Sequence, residues 1–427
     1  MSNNNLDRSI APAIHSIETV ELPNVEQLVL DNGLKVYALN AGEEDVVKIE
    51  FVFKAGKWYE NQNLVADLTA RMLREGTANK TGKELADFFD FYGSNFNTSS
   101  GNELATVSLY CLTKYLEVQL PVLFEIFTQA AFPESELQTI CANRKQRLLI
   151  ELEKNDFLAN RYFSQALWGT KHPYGRITEA AQFDAISTAH LHSFYKQNFH
   201  AANAFVIIAG KFDSGLLKTL NNIFGTKEWI GNKAAGNTFA PEPKAELVYH
   251  EDRKNSVQSA LQVGNTTINK THPDFVKFTV MNTIFGGYFG SRLMANIREE
   301  KGYTYGIHSS IASYPNGAFI EISSEVGTEV RQATLDEIRT EIELMRTEEV
   351  DSEELATVKN YMSGRILRSA DGALRFSDTL KGLLLYNHDG AYIHAMLKEV
   401  QNTTAQDVLQ LANKYLDYNK MYKITVG

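Results

Sequence analysis

Cysteine is nearly absent: Cys111 and Cys141 are all the chain has, too few for a thiolate metal cluster and unlike a disulfide-stapled secreted scaffold. They read as buried, reduced thiols. Positive charge is also scarce, and the net charge of -10 excludes nucleic acid as a principal partner, because affinity for a phosphate backbone comes from Lys and Arg displacing counterions. No apolar run approaches the roughly 18 to 20 residues of a membrane span, and residues 1–8 lack the apolar core of a secretory signal. The expectation is a soluble chain with no membrane span, cytoplasmic, or periplasmic if a signal peptide has been removed.

Several catalytic devices are missing too. No Gly-x-Ser-x-Gly nucleophile elbow occurs. The Gly-Lys-rich stretch at 76–84 is one residue too long for a phosphate loop and has Glu84 where a Ser or Thr would hold magnesium. Among the ten histidines, His190 and His192 diverge around a helix, while His388 and His394 have only Asp389 beside them. Packing or surface roles fit them better than metal ligation.

What is present is a repeat. Ser187-Thr188-Ala189 opens a helical pattern ending near Phe199, followed by the apolar strand pattern at 203–210; Thr403-Thr404-Ala405 opens one ending near Tyr415, followed by the pattern at 419–427. The offset is about 216 residues, half of the 427, and internal similarity at such a period identifies architecture more firmly than local propensity does. Strand patterns at 34–39, 47–53, 259–263 and 317–324 alternate in polarity, and helical patterns run over 333–347 and 352–366. The Gly-, Asn- and Pro-containing stretch 226–245 reads as a linker between an N-terminal unit, 1–225, and a C-terminal unit, 246–427. The expected fold class is α+β: two homologous halves, each a mainly antiparallel sheet covered by helices segregated to one face.

The most informative segment reads Phe285-Gly286-Gly287-Tyr288-Phe289-Gly290-Ser291-Arg292-Leu293, then Ile297-Arg298-Glu299-Glu300-Lys301-Gly302-Tyr303-Thr304-Tyr305-Gly306. With the opening Asn32-Gly33-Leu34-Lys35-Val36, it closely resembles the insulinase/pitrilysin-type zinc peptidases, the inverted zincins, over nearly the whole chain from about Val20. In that family a Gly-rich turn precedes an Arg and, seven residues later, a Tyr that position substrate; Arg298 and Tyr305 match. The resemblance implies two halves facing each other across a cavity. Glycines 286, 287 and 290 would allow close approach and unusual dihedrals in a turn bordering it.

The family binds zinc through His-x-x-Glu-His, whose two imidazoles at i and i+4 share one helix face beside a Glu that takes a proton from zinc-bound water. Here the matching positions are Asp67, Ala70 and Arg71, which keep the spacing and lose the chemistry. Glu151 matches the third ligand, with Glu153 as the alternative. Asp67 and Arg71 make a favourable i,i+4 pair, read either as a guanidinium replacing the zinc charge, held by Asp67 and Glu151, or as a solvated surface pair. The family's peptide-binding strand edge corresponds to Phe96-Asn97-Thr98-Ser99, to which a peptide would add as a further strand.

Read physically, Arg298 offers a planar fork of donors and Tyr305 a phenol able to donate to an oxyanion; the plainer reading is a charged helix end and a packed strand residue. The resemblance implies a zinc-free subunit similar in role to that of mitochondrial processing peptidase and bacterial two-chain relatives. It would hold no cofactor, and zinc would lie in a homologous partner carrying His-x-x-Glu-His, the substrates being unstructured peptides. A pseudopeptidase scaffold and a non-hydrolytic peptide-binding homodimer are the rival expectations.

Overall fold

The computed structural model describes Ser9, residues 17–233 and residues 236–427. The first half contributes strands β1 (Glu26–Val29), β2 (Lys35–Asn40), β3 (Val46–Phe53), β4 (Asn95–Ser100), β5 (Ala105–Leu112) and β6 (Ala204–Gly210). Its helices are α1 (Val65–Met72), α2 (Gly82–Phe91), α3 (Leu116–Gln129), α4 (Glu134–Glu151), α5 (Asn155–Trp168), α6 (Thr188–Asn198) and α7 (Gly215–Phe224). The second half has β7 (Val248–Glu251), β8 (Gln258–Thr266), β9 (Thr304–Tyr314), β10 (Gly317–Gly327) and β11 (Tyr422–Val426). With them come α8 (Phe275–Asn282), α9 (Arg331–Thr347), α10 (Ser352–Ser369), α11 (Gly372–Leu384), α12 (Ala391–Asn402) and α13 (Ala405–Tyr415).

The spatial strand orders are β1-β2-β6-β3-β5-β4 and β7-β11-β8-β10-β9. Setting β2 on β7, β6 on β11, β3 on β8, β5 on β10 and β4 on β9 makes the two orders coincide, β1 being an addition. The pairing senses agree as well: β2–β6 and β7–β11 are parallel and the remaining pairs antiparallel. The duplication is therefore present in topology, not only in sequence. The caps that open the repeat also recur: Ser187 and Thr404 each form a capping box, with His190 and Asp407 respectively, satisfying amides that a helix start leaves unpaired.

Each sheet has one apolar face packed on its own helices. In the first half Val47, Ile49, Phe51 and Phe53 of β3 meet residues of α1, α3 and α7 in one core; in the second, Leu261, Val263, Ile320 and Ile322 meet α8, α9 and α10. The opposite faces differ from the expected one-sided arrangement. Helix α11, from the second half, lies on β2 and β6, where Leu39, Ile207 and Ala209 join Phe376, Leu380 and Leu383. Helix α5, from the first half, lies reciprocally on β8 and β11, where Leu158, Phe163 and Leu167 join Ala260, Tyr422, Ile424 and Val426. A sheet with both faces apolar must be covered twice, and here each half covers the other.

The segment joining the halves is docked where it is described. Trp229 is buried and donates to Phe199 O at 3.0 Å, Asn237 exchanges hydrogen bonds with Trp58 at 3.1 Å, and Phe239 packs edge-on against Trp58. No helix of the described residues is long and apolar enough to cross a membrane.

Candidate functional site at the degenerate metal helix

Helix α1 packs against β4 and α6, so the helix that should carry the ligands stands beside the sheet edge. Its start is anchored by Glu60, whose Oε2 accepts from Ala66 N at 2.9 Å while Oε1 accepts from Arg176 Nη2 at 3.0 Å. Burial outweighs both contacts and lifts the Glu60 carboxyl to about 7.

Asp67, in the first turn, accepts at Oδ2 from Arg71 Nε at 2.9 Å and from Arg144 Nη2 of α4 at 3.0 Å. Ala70 is buried. Glu151, at the end of α4, accepts from Lys154 Nζ at 3.1 Å rather than from Arg71. This set does not suit zinc: one carboxylate is committed to two guanidiniums, the neighbouring position is a cation, and the place of the general base is a methyl group. Among the described residues no group of three or more His, Cys, Asp or Glu is placed to hold a metal.

Arg71 and Glu151 open instead onto a cavity of about 650 Å³, lined also by Lys57, Arg144, Arg147, Arg161 and Arg176. The sequence carried part of this signal: Arg144, Arg147 and Glu151 are spaced i, i+3, i+7 and share one face of α4. Arg176 and Arg161 arrive from a loop and from α5, and no local pattern announced them.

A second cavity, about 460 Å³, is lined by Tyr305, His308, Glu321 and Glu325, and shares Asn160 of α5 with the first. Tyr305 is 95% exposed. Its direction has a local cause: across the β9–β10 ladder Ile307 faces Ser324 and Thr304 faces Val326, so Tyr305 and Gly306 together oppose Glu325. An extra residue of this kind re-aims a side chain, and Thr304 Oγ1 fixes the kink by donating to Glu325 O at 2.7 Å.

Arg298 sits on a π-helical turn, Met294–Glu300, its guanidinium 4.7 Å from the Phe289 ring centroid and 3.6 Å from Glu299. Among the described residues it makes no hydrogen bond, ion pair or ring contact with Tyr305, and it lines neither cavity. The Gly-rich turn is needed for close approach: a Cβ on Gly286 would lie 2.6 Å from Ser309 Cβ, and one on Gly290 would lie 2.9 Å from the Tyr288 ring. The unusual dihedrals expected of Gly286, Gly287 and Gly290 are not found, since none has positive φ; close packing, against β9 at Gly286 and against the Tyr288 ring at Gly290, and not a left-handed turn, calls for glycine there.

Phe96, Asn97, Thr98 and Ser99 lie on β4, the outermost strand of the first sheet, which among the described residues is hydrogen-bonded on the β5 side alone. Phe96 is stacked on Phe89 at 4.6 Å, and Ser99 pairs with Thr106 at 2.8 Å. The equivalent outer strand of the second sheet is β9, which carries Tyr305.

Two sheets of one topology, each covered in part by the other half, with a helix α1 whose Asp67, Ala70 and Arg71 do not suit zinc, define a two-half α+β protein with no metal-holding group among its described residues. Residues 35–173 match the family described as Insulinase (Peptidase family M16), and residues 185–362 match the Peptidase M16 inactive domain. The chain belongs to that family, as a non-catalytic member. It is 24% identical over 408 residues to an uncharacterized zinc protease of Rickettsia felis, covering 90% of this chain and 93% of that one. The crystal structure of a peptidase M16 inactive domain from Pseudomonas fluorescens superposes with a TM-score of 0.87 at 25% identity, covering 95% of this chain and 98% of that one. The periplasmic protease PqqL of Escherichia coli shares the fold alone, at 15% identity and TM-score 0.79, over 99% of this chain and 49% of its own.

Proposed function

We propose that this chain is the substrate-positioning subunit of a two-chain zinc metallopeptidase acting on unstructured peptides, its partner being a homologous catalytic subunit that carries His-x-x-Glu-His and the zinc. The observation that carries the reading is Tyr305: a phenol 95% exposed on an outer strand, aimed outward by a bulge and facing a cavity, is what a donor meant for another molecule looks like. A scaffold has no need of it. Arg298 stands ready on the aromatic ring of Phe289, a contact worth about 0.5–1 kcal/mol at an exposed site and easily exchanged for a substrate carbonyl. The fold shared with about half of a longer protease supports pairing of two such chains.

The test is reconstitution with a homologue bearing the zinc motif. Tyr305→Phe and Arg298→Ala should each lower turnover about 100- to 1000-fold, as loss of one oxyanion donor does, with assembly and zinc content unchanged. If both variants assemble and cleave at the unmutated rate, the segment is structural and the scaffold reading replaces this one.

A further inference from the structure

The cavity beside α1 is lined by six cations, Lys57, Arg71, Arg144, Arg147, Arg161 and Arg176, against one carboxylate, Glu151, in a chain whose net charge is -10. Internal pairing accounts for only part of this concentration: Arg71, Arg144, Arg161 and Arg176 each have an acidic partner, while Lys57 and Arg147 pair with no carboxylate among the described residues. Arg71 and Arg144 share one oxygen of Asp67. Glu151 is taken by Lys154, and Arg161 divides its donors between Thr178 O and Glu179. Arg147 forms no ion pair or hydrogen bond within the described residues, and Arg176, although its Nη2 donates to Glu60 Oε1 at 3.0 Å and to Lys57 O at 3.2 Å, keeps a buried Nε with no acceptor. Like charges gathered in a concave, partly desolvated site repel one another unless an anion enters.

The neighbourhood says how an anion would arrive. Asn102, in the turn between β4 and β5, lines the same cavity, and α1 packs on β4. A strand added to the free edge of β4 would thus pass the cavity mouth, and alternate side chains of an extended peptide point to one face. We infer that the emptied metal position is a carboxylate pocket, which takes an acidic side chain, or the terminal carboxylate, of a peptide lying along β4. This rests on the peptide-binding reading above and adds a preference to it: guanidiniums in fork geometry select planar oxyanions.

The test needs the purified chain alone. Binding of a fluorescein-labelled ten-residue peptide with a central Glu is measured by anisotropy against the same peptide with Gln, with inorganic phosphate as competitor. The expected result is at least tenfold tighter binding of the Glu peptide, falling steeply with salt, with the preference lost in Arg147→Gln and in Arg71→Gln. Arg147 is exposed and unpaired among the described residues, so its substitution should leave the thermal midpoint unchanged. Equal binding of the two peptides by the unmutated chain overturns the pocket and leaves the peptide reading standing. Failure of both peptides to bind overturns both, and phosphate binding as tight as the Glu peptide's assigns the pocket to free oxyanions and overturns the peptide part.

Discussion

Where α11 crosses onto the first sheet, four charges meet between the layers. Lys48 Nζ of β3 lies 2.7 Å from Asp378 Oδ1, 3.3 Å from Glu50 Oε2 and 3.3 Å from Ser377 Oγ. Lys381 Nζ closes the set, 2.8 Å from Glu50 Oε1 and 3.5 Å from Asp378 Oδ1, so two cations balance two carboxylates. Lys48→Met keeps the aliphatic stem and removes the charge. The side chains of Lys48 and Glu50 are only 3% and 5% exposed, whereas that of Asp378 is 56% exposed; the Asp378 arm is screened by water and contributes little. The loss is therefore dominated by Glu50, left buried beside a single cation, and breaking a buried pair in this way costs about 3–5 kcal/mol. Urea unfolding of the single variant should show about 3 kcal/mol of destabilisation, with faster amide exchange along α11. Adding Glu50→Gln removes the stranded charge and should restore most of the loss. Destabilisation below about 1 kcal/mol, or a second substitution that deepens the loss instead of relieving it, would refute the reasoning that a buried, mutually neutralising set fastens the two halves.

Two further outcomes follow, one from the start of α1 and one from the Gly-rich turn. Because burial raises the Glu60 carboxyl from 4.5 to about 7, the folded state holds its proton more tightly than the unfolded chain; stability is full below about pH 4.5 and is lost as pH rises through 7, by up to ~3 kcal/mol. Glu60→Gln should flatten that slope in denaturant midpoints recorded from pH 5 to 8, and an unchanged slope would assign it to other groups. Gly286→Ala would place a methyl 2.7 Å from Ser309 N and 2.8 Å from Leu293 Cδ1, an overpacking that costs about 1–3 kcal/mol and should lower the thermal midpoint, whereas Gly302→Ala, with nothing within 4 Å of its Cβ but φ at +67°, should lose only about 1 kcal/mol from backbone strain.

The repeat was legible because its signals are local. A Ser or Thr cap, an amphipathic helix and an apolar strand lie within some 25 residues, and each copy prints the same order; the helices over 331–347 and 352–369 fall where their periodicity placed them. The crossing of α5 and α11 was not legible, since an apolar helix face says that it will be covered and not by which sheet. The site divides in the same way. Asp67, Ala70 and Arg71, and the edge position of Phe96 to Ser99, are legible through the family resemblance. The cavity they border is built from α1, α4, α5 and the loop bearing Arg176, and cations converging from such distant segments leave no periodic trace.

The crossed helices carry an implication about descent and about dissection. Were the halves separate polypeptides, each trading a helix for its counterpart's, they would be a domain-swapped dimer with an approximate two-fold axis; the present chain is one such protomer written twice in one reading frame. Neither half owns a complete hydrophobic covering, so a fragment ending at the connector exposes the β2–β6 surface that α11 seals, and its complement exposes the β8–β11 surface that α5 seals. Cleaving the connector in the folded protein should accordingly yield two fragments that migrate as one particle, held together by the reciprocal packing of α5 and α11.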